Sequence, residues 1–207
     1  MKTSSKSQGH IQRGIAFVLS APAGTGKTTL VKKLVKEFPA VAASISCTTR
    51  APRSGEKDGI DYHFLTEKAF KDKITAGDFL EYVQLYDYYY GTSRAFVMEQ
   101  LEKGKHVILT IDTQGALQLK GHFPAVYIFI DPPSLEDLRK RMESRHTESV
   151  ESIAERLRWA QKEIDVADQY DYIIINDQLE TAYQVLRSIV IAEEHKTKKD
   201  NSWKKKA

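Results

Sequence analysis

The chain has 207 residues, 41% of them hydrophobic and 29% charged, with a net charge of +3. This is the balance of a globular protein with room for one domain and a small inserted lobe. The longest apolar run, AVYIFI at 125–130, is far too short to span a bilayer, and the single Cys47 can close no disulfide within the chain.

The positive charge sits at the ends. Residues 1–13 carry Lys2, Lys6 and Arg13, and residues 196–207 hold six lysines against Asp200, so within the whole-chain +3 the body at 14–195 is acidic, net −5. Such lysine-rich ends read as flexible, solvated tails. They give no basis for a nucleic-acid partner, and the N-terminus lacks the apolar stretch of a signal peptide. A cytoplasmic protein that engages neither membrane nor nucleic acid is expected.

In chain order, GIAFVLS (14–20) predicts a short buried strand, and TTLVKKLVKEF (28–38) predicts a helix with Leu30, Val31, Leu34, Val35 and Phe38 on one stripe. VAASIS (41–46) supplies a second strand. Residues 47–93 break the rhythm with YHFL, the helix-like EKAFKDKITAG, FLEYVQLY and YYYG, and read as an inserted α+β lobe. HVILTID (106–112), AVYIFID (125–131) and YDYIIIN (170–176) are three further buried strands, with helical patterns at 113–122, 134–144, 150–166 and 179–195. Asp131 is expected to cap the helix that follows it. Glu136 with Lys140, and Asp137 with Arg141, are spaced for ordinary surface ion pairs on that helix. Strands alternating with helices predict an α/β fold, a parallel sheet covered on both faces. The core comprises 14–46 and 94–195, the lobe 47–93, and a helical lid about 141–156.

The first strand runs into Ala21, Pro22, Ala23, Gly24, Thr25, Gly26, Lys27, Thr28 and Thr29, and then directly into a helix. Gly24 and Gly26 allow the tight turn that aims backbone N–H groups at one point, and the helix N-terminus adds its positive end. Lys27 supplies a full charge for β- and γ-phosphates, and the Thr28 hydroxyl can join Mg²⁺ arriving with ATP. The spacing is that of a P-loop with alanine in place of its first glycine. A P-loop alone does not say what receives the phosphoryl group.

The acceptor is written in SCTTRAPRSGEKDGIDYHF (46–64). Arg50 and Arg53 can form charge-assisted bonds to phosphate oxygens, Tyr62 adds a neutral donor, and Gly55 and Gly59 suit the turns that would gather them. By residue type alone the run could equally be a solvated loop. Its full pattern, S-x-T-T-R-x-P-R-x-G-E-x-x-G-x-D-Y-x-F, followed by FLEY (79–82) and YYGTS (89–93), resembles the guanylate kinase family across about residues 14–192. The resemblance implies a P-loop core with a GMP-binding lobe and an arginine lid, and transfer of the γ-phosphoryl group of ATP to GMP, and to dGMP. It places Arg50, Arg53, Tyr62 and Tyr90 on the GMP phosphate with Glu56 orienting the arginines. Ser46, Glu81, Thr92 and Asp112 would line the guanine pocket. Arg141, Arg145 and Arg156 would act as lid arginines over the ATP phosphates, and Asn176 would sit on the adenine side. Read without it, Glu81 is also a surface charge on the alternating FLEYVQLY, and Asn176 a strand-end residue.

The chain departs from the family pattern at Thr110, where an acid is usual, at Thr113, where a tryptophan is frequent, and at His146 after the lid arginine. Two other functions fit parts of the pattern: a non-catalytic phosphopeptide-binding module with the same lobe, and a P-loop kinase for another small phosphate ester. The intact Gly24, Gly26, Lys27 and Thr28 favour catalysis over the first.

Overall fold

The computed structural model of the chain describes residues 13–85, 87–144 and 150–196. Arg145 and His146, and both basic tails apart from Arg13 and Lys196, lie outside the described residues.

Five parallel strands form the core: β1 (Ala16–Ser20), β2 (Val41–Ala43), β7 (His106–Thr110), β8 (Val126–Asp131) and β9 (Tyr172–Ile175), in the order β2-β7-β1-β8-β9. β1 is central and buried on both faces, which explains why its sequence is apolar without alternation. Its side chains still alternate in direction. Phe17 and Leu19 enter one core with Ile108, Ile128 and Ile130, whereas Ala16 and Val18 enter the other with Val107, Leu109 and Phe129. The first core is covered by α1 (Lys27–Glu37) through Leu30 and Leu34, and by α7 (Leu179–Glu194) through Leu186 and Val190. The second is covered by α3 (Arg94–Glu102) through Val97 and Leu101, and by α4 (Thr113–Leu119) through Ala116 and Leu119.

A second sheet, in the order β4-β3-β6-β5, comprises β3 (Cys47–Thr48), β4 (His63–Phe64), β5 (Phe79–Leu85) and β6 (Tyr88–Ser93). It is mixed: β3 runs parallel to β4 and antiparallel to β6, which pairs antiparallel with β5. α2 (Glu67–Thr75), capped by the Thr66 hydroxyl, sets Phe70 against Cys47, Phe79 and Tyr89 in a small core of its own. Two more helices, α5 (Leu135–Glu143) and α6 (Val150–Ile164), join through Leu138, Met142, Ile153 and Ala160.

α3 carries little sequence signal, because RAFVMEQLE buries only Val97 and Leu101 and so shows little of a stripe; the Ser93 hydroxyl caps it. Three sequence expectations, the Asp131 cap and the Glu136–Lys140 and Asp137–Arg141 pairs, are corrected. Asp131 does not cap α5. Ser134 does, accepting from the Asp137 N–H at 3.0 Å, while Asp131 ends β8 and its carbonyl accepts from the Asn176 N–H at 2.8 Å. The Asp137–Arg141 surface pair is not made either: the Asp137 carboxylate takes the Ser134 hydroxyl at 2.5 Å, and Glu136 turns to Arg139 at 3.7 Å.

Candidate active site

The loop leaving β1 is built to hold an anion. Gly24 and Gly26 adopt φ of 95° and 91°, a left-handed conformation that L side chains resist. Gly26 is also the N-cap residue of α1 and contributes no capping side chain; its carbonyl takes the Thr29 and Leu30 N–H groups, and those of Lys27 and Thr28, which begin this 11-residue helix, are left for a ligand. Thr25 ties the loop to itself, its hydroxyl donating to the Pro22 carbonyl at 2.8 Å. Asn176, only 3% exposed, braces it from behind: the side-chain amide donates to the Thr25 carbonyl at 2.5 Å. Arg141 in turn donates to the carbonyls of Asn176 and Asp177, at 2.8 and 3.3 Å. Arg141 therefore reaches the loop through the β9–α7 turn.

Lys27 points inward, its amine donating to the Ile111 carbonyl at 3.4 Å. Burial lowers its pKa, and the carboxyls of Glu163 and Asp112 act against that shift. Asp112 caps α4 through the Gly115 N–H at 2.9 Å. Burial raises its pKa, with the Gly115 and Gln114 N–H groups and Lys27 opposing. Burial likewise pushes Glu163 up to about 7 against the pull of Lys27. An ammonium beside two acids whose charged forms burial disfavours leaves the floor of the site ready to accept phosphate charge.

The second receptor lies in the lobe. One Arg50 nitrogen is shared by both Glu56 oxygens at 2.9 Å, and another donates to the Ala51 carbonyl at 2.7 Å. Glu56 also accepts from the Arg53 backbone N–H at 2.7 Å, so one carboxylate fixes Arg50 and the turn that carries Arg53. The Arg50 guanidinium lies 5.4 Å from the Tyr62 ring centre, and Tyr62 meets Tyr90 edge-on at 6.1 Å. Of the neighbouring tyrosines, Tyr89 stacks on Phe70 and belongs to the lobe core.

Beside it, Glu81 is 6% exposed, in step with buried Val83 and out of step with the exposed Tyr82 and Gln84 of the same strand. The register of β5 against β6 shifts between Phe79 and Glu81. Leu80 is the extra residue there, so three consecutive residues are buried: Phe79 in the lobe core, Leu80 in the main core, and Glu81 toward the cleft. Thr92, fully buried, donates its hydroxyl to Glu81 Oε1 at 2.6 Å. Burial raises the Glu81 pKa to about 7, with Thr92 opposing and Asp112 adding to the rise.

All this opens on one cavity of about 770 Å³, the size of a small-ligand site. The loop from Ala21 to Thr29 lines one part of it; Ser46, Arg53, Tyr62, Glu81 and Tyr90 line another, and Asp112 lies with them. Arg50, Glu56 and Thr92 do not line it themselves but touch Tyr62, Arg53 and Glu81, which do; Asn176 likewise touches Thr25, and Arg141 touches Asn176. α6 adds Arg156, Trp159 and Glu163. Trp159 and Glu163 are residues the sequence reading passed over; they fall three and seven positions after Arg156, on one face of the helix, and that spacing was the available signal.

Two anion receptors in one cavity accommodate two phosphorylated ligands, and on a five-strand parallel sheet this defines a P-loop phosphotransferase with a small phosphorylated acceptor. Comparison with known proteins narrows the class. The family model described as guanylate kinase matches residues 13–193. The guanylate kinase of Protochlamydia amoebophila is 61% identical over 191 residues, covering 92% of this chain and 97% of that protein. That of Chlamydia trachomatis serovar D is 52% identical over 181 residues, covering 87% and 88%. The crystal structure of guanylate kinase from Anaplasma phagocytophilum superposes with a TM-score of 0.76 at 34% identity, covering 90% of this chain and 89% of that one. The chain belongs to the guanylate kinase family and is an ATP:GMP phosphotransferase.

Proposed function

We propose the following division of labour. ATP lies with its phosphates in the loop from Ala21 to Thr29, above the unpartnered N–H groups that begin α1. GMP lies with its phosphate between Arg50, Arg53, Tyr62 and Tyr90, and with its base against Ser46, Glu81, Thr92 and Asp112. A GMP phosphate oxygen attacks the γ-phosphorus in line; the bond from that phosphorus to the β–γ bridging oxygen breaks, and its electron pair leaves with ADP. A nucleoside monophosphate is largely dianionic at pH 7, so its nucleophilic oxygen needs no base. Catalysis is then positioning and charge stabilisation, supplied by Lys27, Arg156 and the lid arginine Arg145. Arg141 acts at the edge of the ATP site, where its hold on the Asn176 and Asp177 carbonyls shapes the wall that faces adenine.

Mg²⁺ enters with ATP. Among the described residues no group of three His, Cys, Asp or Glu side chains could hold an ion. An oxygen-seeking ion that keeps part of its water shell fits phosphate oxygens plus the exposed Thr28 hydroxyl. It would neutralise charge on the β- and γ-phosphates. The contacts assigned to GMP reach its phosphate and base, so dGMP falls within the same reading. Among the described residues no helix is long and apolar enough to cross a membrane, and one buried, unpaired thiol suits a reducing cytoplasm.

The observation that carries this reading is that Lys27 and Glu81 line the same cavity. Guanine offers N1–H and N2–H₂ as adjacent donors, which one carboxylate accepts as a fork. Adenine lacks N1–H and would leave a buried acceptor unpaired. In a coupled assay with saturating ATP, GMP is expected to exceed IMP by at least about tenfold in kcat/KM, and AMP by about 10³-fold or more. Equal use of AMP would overturn the assignment of Glu81. The phosphate clamp has its own expectation. Glu56→Ala frees Arg50 and the 53–56 turn together, raising KM for GMP by about 10- to 100-fold with KM for ATP unchanged. An unaltered KM for GMP would show that Glu56 positions nothing.

A further inference from the structure

Gly115 lies in the first turn of α4, a poor place for the residue with the least helix propensity after proline. Its backbone angles do not require glycine, since it is an ordinary helical residue. What requires glycine is space. A Cβ built at this position would lie 2.5 Å from Glu81 Oε2 and 3.3 Å from the Glu81 carboxyl carbon, with Val83 next at 3.7 Å. Such a contact is far inside van der Waals distance, so carboxylate and methyl cannot both keep their places. The carboxylate cannot slide aside freely, because its other oxygen is held by the buried Thr92 hydroxyl at 2.6 Å. The helix is equally fixed at this turn, since the Gly115 N–H is committed to Asp112 at 2.9 Å.

We propose that Gly115 is a specificity-determining residue, its missing side chain being the slot that sets the Glu81 carboxylate in the plane where guanine's two donors meet it. Thr92 fixes one oxygen, the bare Cα of Gly115 admits the other, and the orientation of the fork follows from the pair. The inference rests on the reading of Glu81 as the guanine acceptor and adds what aims it. An alanine would push the carboxylate roughly 1 Å away, enough to misalign two hydrogen bonds at once.

The test is a double-mutant cycle between Gly115→Ala and Glu81→Ala, read by kinetics with GMP and AMP and by thermal unfolding. Gly115→Ala alone is expected to raise KM for GMP by about 10- to 100-fold, with kcat within about threefold and KM for ATP unchanged. In the Glu81→Ala background the same substitution is expected to change nothing further, because the atom it displaces is gone. A structural defect in α4 would instead persist in that background and lower kcat for every acceptor, and such a result overturns the inference. If Glu81→Ala relaxes base choice while Gly115→Ala behaves as wild type, the guanine pocket stands and the role of Gly115 falls. If Glu81→Ala leaves base choice unaltered, the pocket reading itself falls, and this inference with it. Should Gly115→Ala alone fail to fold, the double variant is expected to recover the fold and thereby report the same contact; its failure to recover would refute it.

Discussion

Lys27→Ala abolishes turnover: kcat with ATP and GMP is expected to fall by about 10³-fold or more, the scale of removing a fixed cation from a phosphoryl-transfer site. The loss should be nearly pure. Lys27 lies on the ATP loop, away from Arg50, Glu56 and Tyr62, so GMP affinity measured by titration should stay within about threefold. The fold should also survive. Burial lowers the Lys27 pKa below its ordinary value, so at neutral pH the charged amine is a cost to the native state. Glu163 and Asp112 lose a counter-charge in the variant, but both already have raised pKa values and can neutralise by binding protons. A variant that unfolds, or one that keeps about a tenth of its activity, would contradict the role given to this amine.

Glu81→Gln separates function from stability. The amide keeps an acceptor for the Thr92 hydroxyl but presents N–H₂ where guanine presents N2–H₂, so kcat/KM for GMP should fall by about 10²-fold or more and the preference over AMP should collapse. The empty protein should gain stability. The Glu81 pKa is raised in the fold, to about 7 from 4.5, so the native state binds more protons than the unfolded chain between those values. Stability attributable to this group therefore falls as pH rises through that window, and the full penalty applies above pH 7. Removing it is worth on the order of 2 kcal/mol at pH 8, or about 4–8 °C in Tm for a chain of this size, and close to nothing at pH 4.5. A Tm gain that does not depend on pH would show that the buried charge is not its origin. The same titration has a functional side. Guanine stabilises the ionised carboxylate, so in the wild type KM for GMP should rise as pH falls from 8 to 6.

Features whose causes are local were legible in the sequence. The phosphate loop is one: the left-handed conformation demanded at Gly24 and Gly26 and the helix that begins at Lys27 are set within a few residues. β1, β7 and β8 are another, since strands buried on both faces write themselves as apolar runs. Features set by distant partners were not. Asn176 braces the Thr25 carbonyl from 151 positions away, and nothing near it announces that contact. Arg141 was spaced for a surface pair with Asp137 and instead reaches carbonyls more than 30 positions on. Glu81 is the most instructive case. Strand alternation puts it on the same face as Val83 and Leu85, but an acid in that strand reads equally as a surface charge, and only the family resemblance marked it as a pocket residue. Nothing near Gly115 in the sequence announces its role, because the atom that forbids a side chain there belongs to Glu81 of β5.

The central claim is that one cavity holds both phosphate groups at once, donor loop and acceptor clamp facing each other. A ligand joining adenosine to guanosine through a polyphosphate chain tests it most directly, by calorimetry and by competition against each substrate. The account predicts one such ligand bound per chain, competitive with ATP and with GMP, and tighter than either nucleotide alone by at least about 10²-fold, because the second half binds as an intramolecular event. Competition with only one of the two substrates, or affinity no greater than that of the better nucleotide, would show that the two receptors do not serve a single site.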